Sequence, residues 1–183
     1  MSLARIRIAA RLLAVAAMAA LTAGCFQPMY AEHADGTPGL RDKLLGVELP
    51  PVDKPNASPE ARIGVEIRNA LAFKLYGTAT GTAPTHKLVL KFSTSRSSLI
   101  VNPATGLPSS ENLGVDAQYN LVELGTNKSV MTGTTFSRVT YDMPGSYQRF
   151  ARTRALRDAE DRAAAEIADN IQTRLASFFF AGT

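Results

Sequence analysis

The residues that could do chemistry are few, and their spacing limits what that chemistry can be. The chain has one thiol, two imidazoles and one cluster of acids: Cys25, His33, His86, Asp158, Glu160 and Asp161. A metal site needs three or four converging donors, and nucleophilic catalysis needs a nucleophile beside a base. None of the patterns G-x-S-x-G, H-E-x-x-H and S-x-x-K occurs. The sequence therefore predicts a protein that is not an enzyme and holds no metal or cofactor.

Cys25 is placed for lipidation. A positive segment, an apolar segment and a small-residue site precede it in that order: Arg5, Arg7 and Arg11, then residues 12–21, then Ala23 and Gly24. This order is typical of a secretory signal peptide, and the apolar segment is too short to span a membrane as a helix. It resembles the signal of bacterial lipoproteins, which implies cleavage before Cys25 and acylation of its sulfur and new amine. More than one acyl chain gives stable membrane attachment.

The sequence after Cys25 predicts the compartment and the domain boundaries. Inner-membrane lipoproteins often begin with Cys-Asp, and Phe26 stands in that second place here. The resemblance therefore implies the outer membrane, with the chain on its periplasmic face. We expect residues 1–24 to be the signal peptide, 25–43 a lipidated tether rich in turn residues, and 44–183 one periplasmic domain.

Hydrophobic periodicity in the mature chain alternates between strand and helix. Residues 44–49 predict a short strand, and Ser58 with Pro59 predicts the start of a helix that ends at Gly77. Period-two alternation predicts strands over 85–95, 111–124 and 128–141, separated by a turn region at 99–110 and a hairpin turn at 125–127. Gly133 is a candidate bulge. A final amphipathic helix is predicted from about 146 to 179.

This element order predicts the fold class. Two helices on one face of a mostly antiparallel four-stranded sheet form an α+β two-layer sandwich. Within it, His86 is expected at a strand end with a satisfied hydrogen bond. The acids Asp158, Glu160 and Asp161 are expected on the solvated, ion-paired face of the last helix.

The charge balance argues against a nucleic-acid partner. The signal peptide contains three arginines and no acid, so 17 of the 20 basic residues remain against 16 acidic ones. No Lys/Arg-rich run is present, whereas a phosphate-tracking domain needs a concentrated basic face.

One known family resembles nearly all of the chain from Cys25 to Phe179. Several features carry this resemblance: the opening Cys-Phe-Gln-Pro-Met-Tyr (25–30), the helix-and-meander order, the segment 141–147 and the helical segments 157–163 and 167–175. They resemble the corresponding features of the lipopolysaccharide-assembly lipoproteins of the LptE family. The resemblance implies an outer-membrane lipoprotein that plugs an LptD-like β-barrel lipopolysaccharide translocon. It also implies that the protein helps this barrel to assemble and binds lipopolysaccharide, without catalysis.

Basic side chains are the candidates for contact with lipopolysaccharide, because guanidinium and ammonium groups bind phosphates through charge-assisted hydrogen bonds. We expect Lys91, Arg96 and Lys128 to form a basic patch; ordinary solvated surface charges are the alternative. Two other functions stay open at this point. The chain could be an auxiliary lipoprotein of a lipid-transporting ABC system, or a periplasmic hydrolase with an unrecognised site.

Overall fold

The computed structural model describes residues 36–77, 82–101, 103, 106, 108–143 and 148–181. Three helices and four strands lie in these ranges: α1 (Leu40–Leu45), β1 (Val47–Glu48), α2 (Pro59–Tyr76), β2 (His86–Val101), β3 (Pro108–Glu123), β4 (Lys128–Asp142) and α3 (Arg149–Ala181). The strands form one sheet in the order β1-β2-β3-β4. Strand β1 is parallel to β2, and the other neighbours are antiparallel. The predicted α+β class with a mostly antiparallel four-stranded sheet is confirmed.

The helix that the sequence did not predict is α1. Residues 40–43 are predicted above as the end of a tether and 44–49 as a strand, whereas the structure has a helix over Leu40–Leu45 and only two strand residues after it. Leu40 and Leu44 lie one helical turn apart, and both are buried in the core. Packing against the other elements therefore decides this short segment, whose local pattern fits either structure.

Helix α2 begins and ends where the sequence predicts. The Ser58 side chain accepts a hydrogen bond from the backbone N–H of Ala61 at 3.0 Å, and Pro59 occupies the first turn. Gly77 ends the helix with a φ of 58°, and its N–H donates to the carbonyl of Phe73. A positive φ strains any residue with a Cβ, so glycine is suited to this end.

The three long strands form a meander whose hairpins differ in two details from the prediction. Strands β2 and β3 extend into the predicted turn region, to Val101 and from Pro108. The register between β3 and β4 shifts where Leu121 pairs with Met131 and Val122 with Ser129. The extra residue is therefore Val130, and the bulge predicted at Gly133 is absent from this described strand.

Helices α2 and α3 lie side by side on one face of the sheet and run in the same direction. Arg62 contacts Glu160 near their N-terminal halves, and Lys74 Nζ lies 2.5 Å from Asp169 Oδ1 nearer their C-terminal ends. Together with the sheet they enclose the core, whose fully buried large side chains include Ile63, Ile67, Leu71, Leu88, Leu113, Leu121, Ile167, Ile171 and Leu175. Each Å² of apolar surface that is buried contributes about 25 cal/mol to the free energy of unfolding. This core is therefore the main source of stability.

Candidate functional site

The face of the sheet away from α2 and α3 is the first candidate site, and strand alternation determines which residues it carries. Alternate residues of β3 are buried towards the helices: Leu113, Val115, Ala117, Tyr119 and Leu121. The residues between them point the other way, and their partners on β2 and β4 do the same. The central part of this open face carries Lys91, Ser93, Asp116, Gln118, Asn120, Thr132, Thr134, Phe136 and Arg138.

The open face is polar, and some of its side chains hydrogen-bond to each other. Two depressions of about 460 and 590 Å³ adjoin on it, both lined by Lys91, Gln118 and Thr134. The Ser129 hydroxyl donates to Asn120 Oδ1 at 2.5 Å. Such a surface offers hydrogen-bond donors and acceptors to a polar partner.

One aromatic side chain interrupts this polar face. Phe136 is 64% exposed, and the guanidinium of Arg138 lies 5.4 Å from its ring centroid. Arg138 also donates to Asp116 Oδ1 at 2.7 Å. Aromatic residues and arginine are both enriched at protein–protein interfaces.

The three predicted basic residues do not form one patch. Lys91 lies on the open face, opposite Gln118, whereas Lys128 begins β4 opposite Glu123. Five residues of β3 separate these registers, which is about 17 Å along the strand. Arg96 points to the helix-covered side, because its guanidinium lies 3.8 Å from Glu160 Oε1. Contact of each residue with lipopolysaccharide stays a prediction.

Glu160 lies in the second candidate region and corrects the sequence interpretation. Its side chain is 2% exposed, whereas a solvated helix face is predicted for it above. Arg62 of α2 contacts its carboxylate, and Arg96 of β2 approaches from the sheet. Glu160 lies four residues after Leu156 and four before Ala164, so helical spacing itself puts it on the apolar stripe. That spacing could have identified it.

The other two acids of this cluster are exposed, as predicted. Asp158 accepts from Arg162 Nε at 2.8 Å, one helical turn away, and is 67% exposed. Asp161 Oδ1 lies 3.7 Å from Arg62 and is 61% exposed. Exposed pairs of this kind contribute about 0–1 kcal/mol each, so the solvated ion-paired interpretation is confirmed for these two.

His86 has the structural role that its position predicts. Its Nδ1 lies 2.8 Å from the Thr85 hydroxyl, and its ring packs edge-on against Phe179 at 5.1 Å between centroids. Burial lowers the pKa of His86, and the nearby charge of Glu123 partly opposes this effect. No three His, Cys, Asp or Glu residues lie together as a metal site in the described ranges.

A hydrogen bond joins Tyr141, near the end of β4, to Glu111, near the start of β3. The Tyr141 hydroxyl donates to Glu111 Oε2 at 2.5 Å. Burial, with this bond and the carboxylate charge, raises the pKa of Tyr141 to about 12. The phenol therefore stays protonated at neutral pH and acts as a donor, not as a base.

The end of the domain at the β2–β3 turn exposes apolar side chains. Leu99, Ile100 and Val101 are each more than half exposed, and Phe150 in the first turn of α3 is 89% exposed. None of the helices in the described part of the chain is long and apolar enough to cross a bilayer. Cys25, the predicted signal peptide and residues 25–35 of the predicted tether lie outside the described residues.

Of two solved structures that match this chain, the first supports the fold. A lipoprotein from Caulobacter crescentus matches with a TM-score of 0.62 at 23% identity, over 79% of this chain and 97% of that one. Rare lipoprotein B from Shewanella oneidensis matches at 20% identity with a TM-score of 0.48, over 72% of this chain and 93% of that one. None of the curated proteins matches the chain.

The family comparison supplies the identity. The model of the family described as "LptE: Lipopolysaccharide-assembly" matches residues 45–175, which run from the end of α1 almost to the end of α3. The match covers well over half of the chain and all the long strands. This chain therefore belongs to the LptE family of lipopolysaccharide-assembly proteins.

Proposed function

We propose that the mature chain is anchored to the outer membrane by acylated Cys25 and fills the lumen of an LptD-like β-barrel translocon. There it assists assembly of the barrel and binds lipopolysaccharide during delivery to the outer leaflet. One observation carries this proposal: helices cover one face of the sheet of an LptE-family domain, and no helix of the described residues covers the other face, which is polar. Barrel interiors are polar, so a plug must offer hydrogen bonds to the wall.

The chemistry of the open face suits such a wall. Gln118, Asn120 and Thr134 carry side chains that can both donate and accept. Phe136 adds an apolar ring and Arg138 a positive charge, and both residue types are enriched at interfaces. The proposal therefore assigns barrel contact to this face.

The exposed end of the domain suits a lipid ligand. Leu99, Ile100 and Val101 give it an apolar surface, and the first acid of α3 comes only after four arginines, at Asp158. Lipopolysaccharide combines acyl chains with phosphates, so both halves of the ligand have a counterpart at this end.

Co-purification from membranes with Phe136→Asp tests the barrel assignment. The wild-type mature protein should co-purify with a large β-barrel. Phe136→Asp should recover much less of the barrel, because a charged carboxylate replaces the apolar ring at the proposed contact. The matched control is Phe73→Asp on α2, since Phe73 is 73% exposed outside the open face. Equal barrel recovery with all three proteins would contradict the assignment. Recovery of only an inner-membrane ABC complex would favour the alternative function.

The anchor has its own test. Cys25→Ala should leave the domain folded but largely released from membranes, because no thiol remains to carry the lipid. Palmitate labelling of membrane and soluble fractions measures this. Full labelling of the variant would show that another residue is acylated.

A further inference from the structure

An open cleft of about 660 Å³ lies where the start of α2, the strand β2 and the first half of α3 meet. Its apolar walls include Pro59, Val65 and Leu156. Charged side chains line it as well: Arg62, Arg96, Arg157 and Glu160. Ligand sites in proteins commonly have this size and combine apolar walls with a few converging polar groups.

The burial of Glu160 is not explained by stability. Buried ion pairs are often no more stabilising than apolar side chains of similar volume, because both charges lose their hydration. Its neighbours on the same stripe of α3 are Ala159, Ala163 and Ala164, all buried. An apolar residue would therefore fit the stripe, and what the carboxylate adds is that it draws Arg62 and Arg96 to one wall of the cleft.

The guanidinium groups keep donors available after these contacts. Each guanidinium has five N–H donors, and one carboxylate has two oxygens. Arg62 is 35% exposed and Arg96 is 44% exposed, so both remain accessible while they contact Glu160. Arg157 is exposed and adds a third guanidinium from α3. Among the described residues, the carboxylates within ion-pair distance of these three arginines are Glu160 and Asp161, while Glu60 accepts a hydrogen bond from Thr94. The guanidinium groups therefore outnumber their carboxylate partners.

The charge distribution on α3 raises the positive potential at the cleft. Helix N-termini favour acids, yet the first turn of α3 has none. Four arginines precede the first acid of α3, Asp158: Arg149, Arg152, Arg154 and Arg157. Glu111 faces the same side of the sheet, but it lies outside the cleft lining and accepts from Tyr141. Clustered cations at a partly apolar cleft attract an anionic ligand.

We propose that this cleft binds an oxyanion, a phosphate or carboxylate carried on an apolar body, through Arg62, Arg96 and Arg157. The anion takes the free guanidinium N–H groups, and the apolar body lies against Val65 and Leu156. The proposal deepens the lipopolysaccharide binding proposed above and rests on it only for the source of the anion. A phosphate of lipopolysaccharide and free inorganic phosphate share this chemistry.

Isothermal titration calorimetry tests the site, with lipopolysaccharide titrated into the lipidated mature protein in detergent. Arg96→Gln and Arg157→Gln should each weaken binding about tenfold, because each removes a charge-assisted hydrogen bond. Arg174→Gln is the matched control, since it removes an exposed arginine of α3 that does not line the cleft. Its affinity should equal that of the wild type. Arg157→Gln preserves both arginine contacts of Glu160, so a melting temperature near the wild-type value separates lost binding from lost folding.

The outcomes separate this inference from the proposed function. Tight lipopolysaccharide binding that both cleft variants retain would overturn the cleft and leave lipopolysaccharide binding in place. If the wild type binds no lipopolysaccharide, that part of the proposed function fails, and inorganic phosphate then tests the cleft. Shifts of the Nε–H NMR signals of Arg62, Arg96 and Arg157 with phosphate, absent at Arg174, would support the oxyanion site. No shift at any of them would overturn it.

Discussion

The two faces of the same three strands have opposite properties. On the covered face, Leu113, Val115 and Leu121 are fully buried beneath the helices. On the open face, one residue along each strand, polar side chains surround Phe136, which is 64% exposed. Because alternate residues of a strand point to opposite faces, one segment supplies both the core and the surface. The comparison indicates that the core and the surface proposed for barrel contact can be changed separately, residue by residue.

The largest expected effect is the loss of folding when a charge enters the covered face. Leu175→Asp places a carboxylate at a fully buried position of α3, which costs several kcal/mol. Gln118→Asp adds the same charge to an exposed position of the open face and should change stability by less than about 0.5 kcal/mol. Urea unfolding followed by circular dichroism compares them. Equal midpoints for the two variants would refute the distinction between the faces.

A smaller loss of stability is expected at Gly133 of β4, which pairs with Tyr119 of β3. A Cβ at Gly133 would collide with the ring of Tyr119, whereas a Cβ at Gly125 would meet no atom. Gly133→Ala should therefore destabilise by about 1–3 kcal/mol, as overpacking does. Gly125→Ala in the hairpin turn is the control and should change the thermal midpoint much less. A Gly133→Ala midpoint equal to that of the control would mean that Tyr119 can move aside at no cost.

The smallest expected effect is a pH dependence at the edge of the covered face. Burial lowers the pKa of His86, so folding favours its neutral form. The stability from this preference is present above the unfolded pKa of about 6.5 and is lost as pH falls through the lower folded value. His86→Phe keeps a ring against Phe179 and cannot titrate. The wild type should therefore lose more melting temperature than His86→Phe between pH 7 and pH 5. An equal loss would show that His86 does not contribute.

Local signals in the sequence were sufficient for the long elements. Ser58, Pro59 and Gly77 define α2 because caps act through bonds to nearby backbone groups. Strand alternation identified the buried side of β3 for the same reason, since it needs no knowledge of distant residues. Helix α1 could not be predicted in this way, because six residues with two buried leucines satisfy more than one local structure.

The candidate sites were less predictable than the fold. Lys91, Arg96 and Lys128 are close enough in the strand order to suggest one patch, but the sheet places Arg96 on the covered side and separates the other two. Arg62 and Arg157 carry no sequence signal that links them to Arg96. Only the parallel packing of α2 and α3 brings these guanidinium groups to one cleft.

The sequence by itself determined the features that depend on neighbouring residues: the lipoprotein-like start at Cys25 as a prediction, the caps of α2, the alternation of the strands and the resemblance to a family whose model matches residues 45–175. The tertiary structure decided which face of the sheet the helices cover and which charges meet. Glu160 shows the physical reason. Its position on the helix stripe is readable from spacing, but its partners come from α2 and β2, and only chain folding brings segments so distant in sequence within the range of an ion pair.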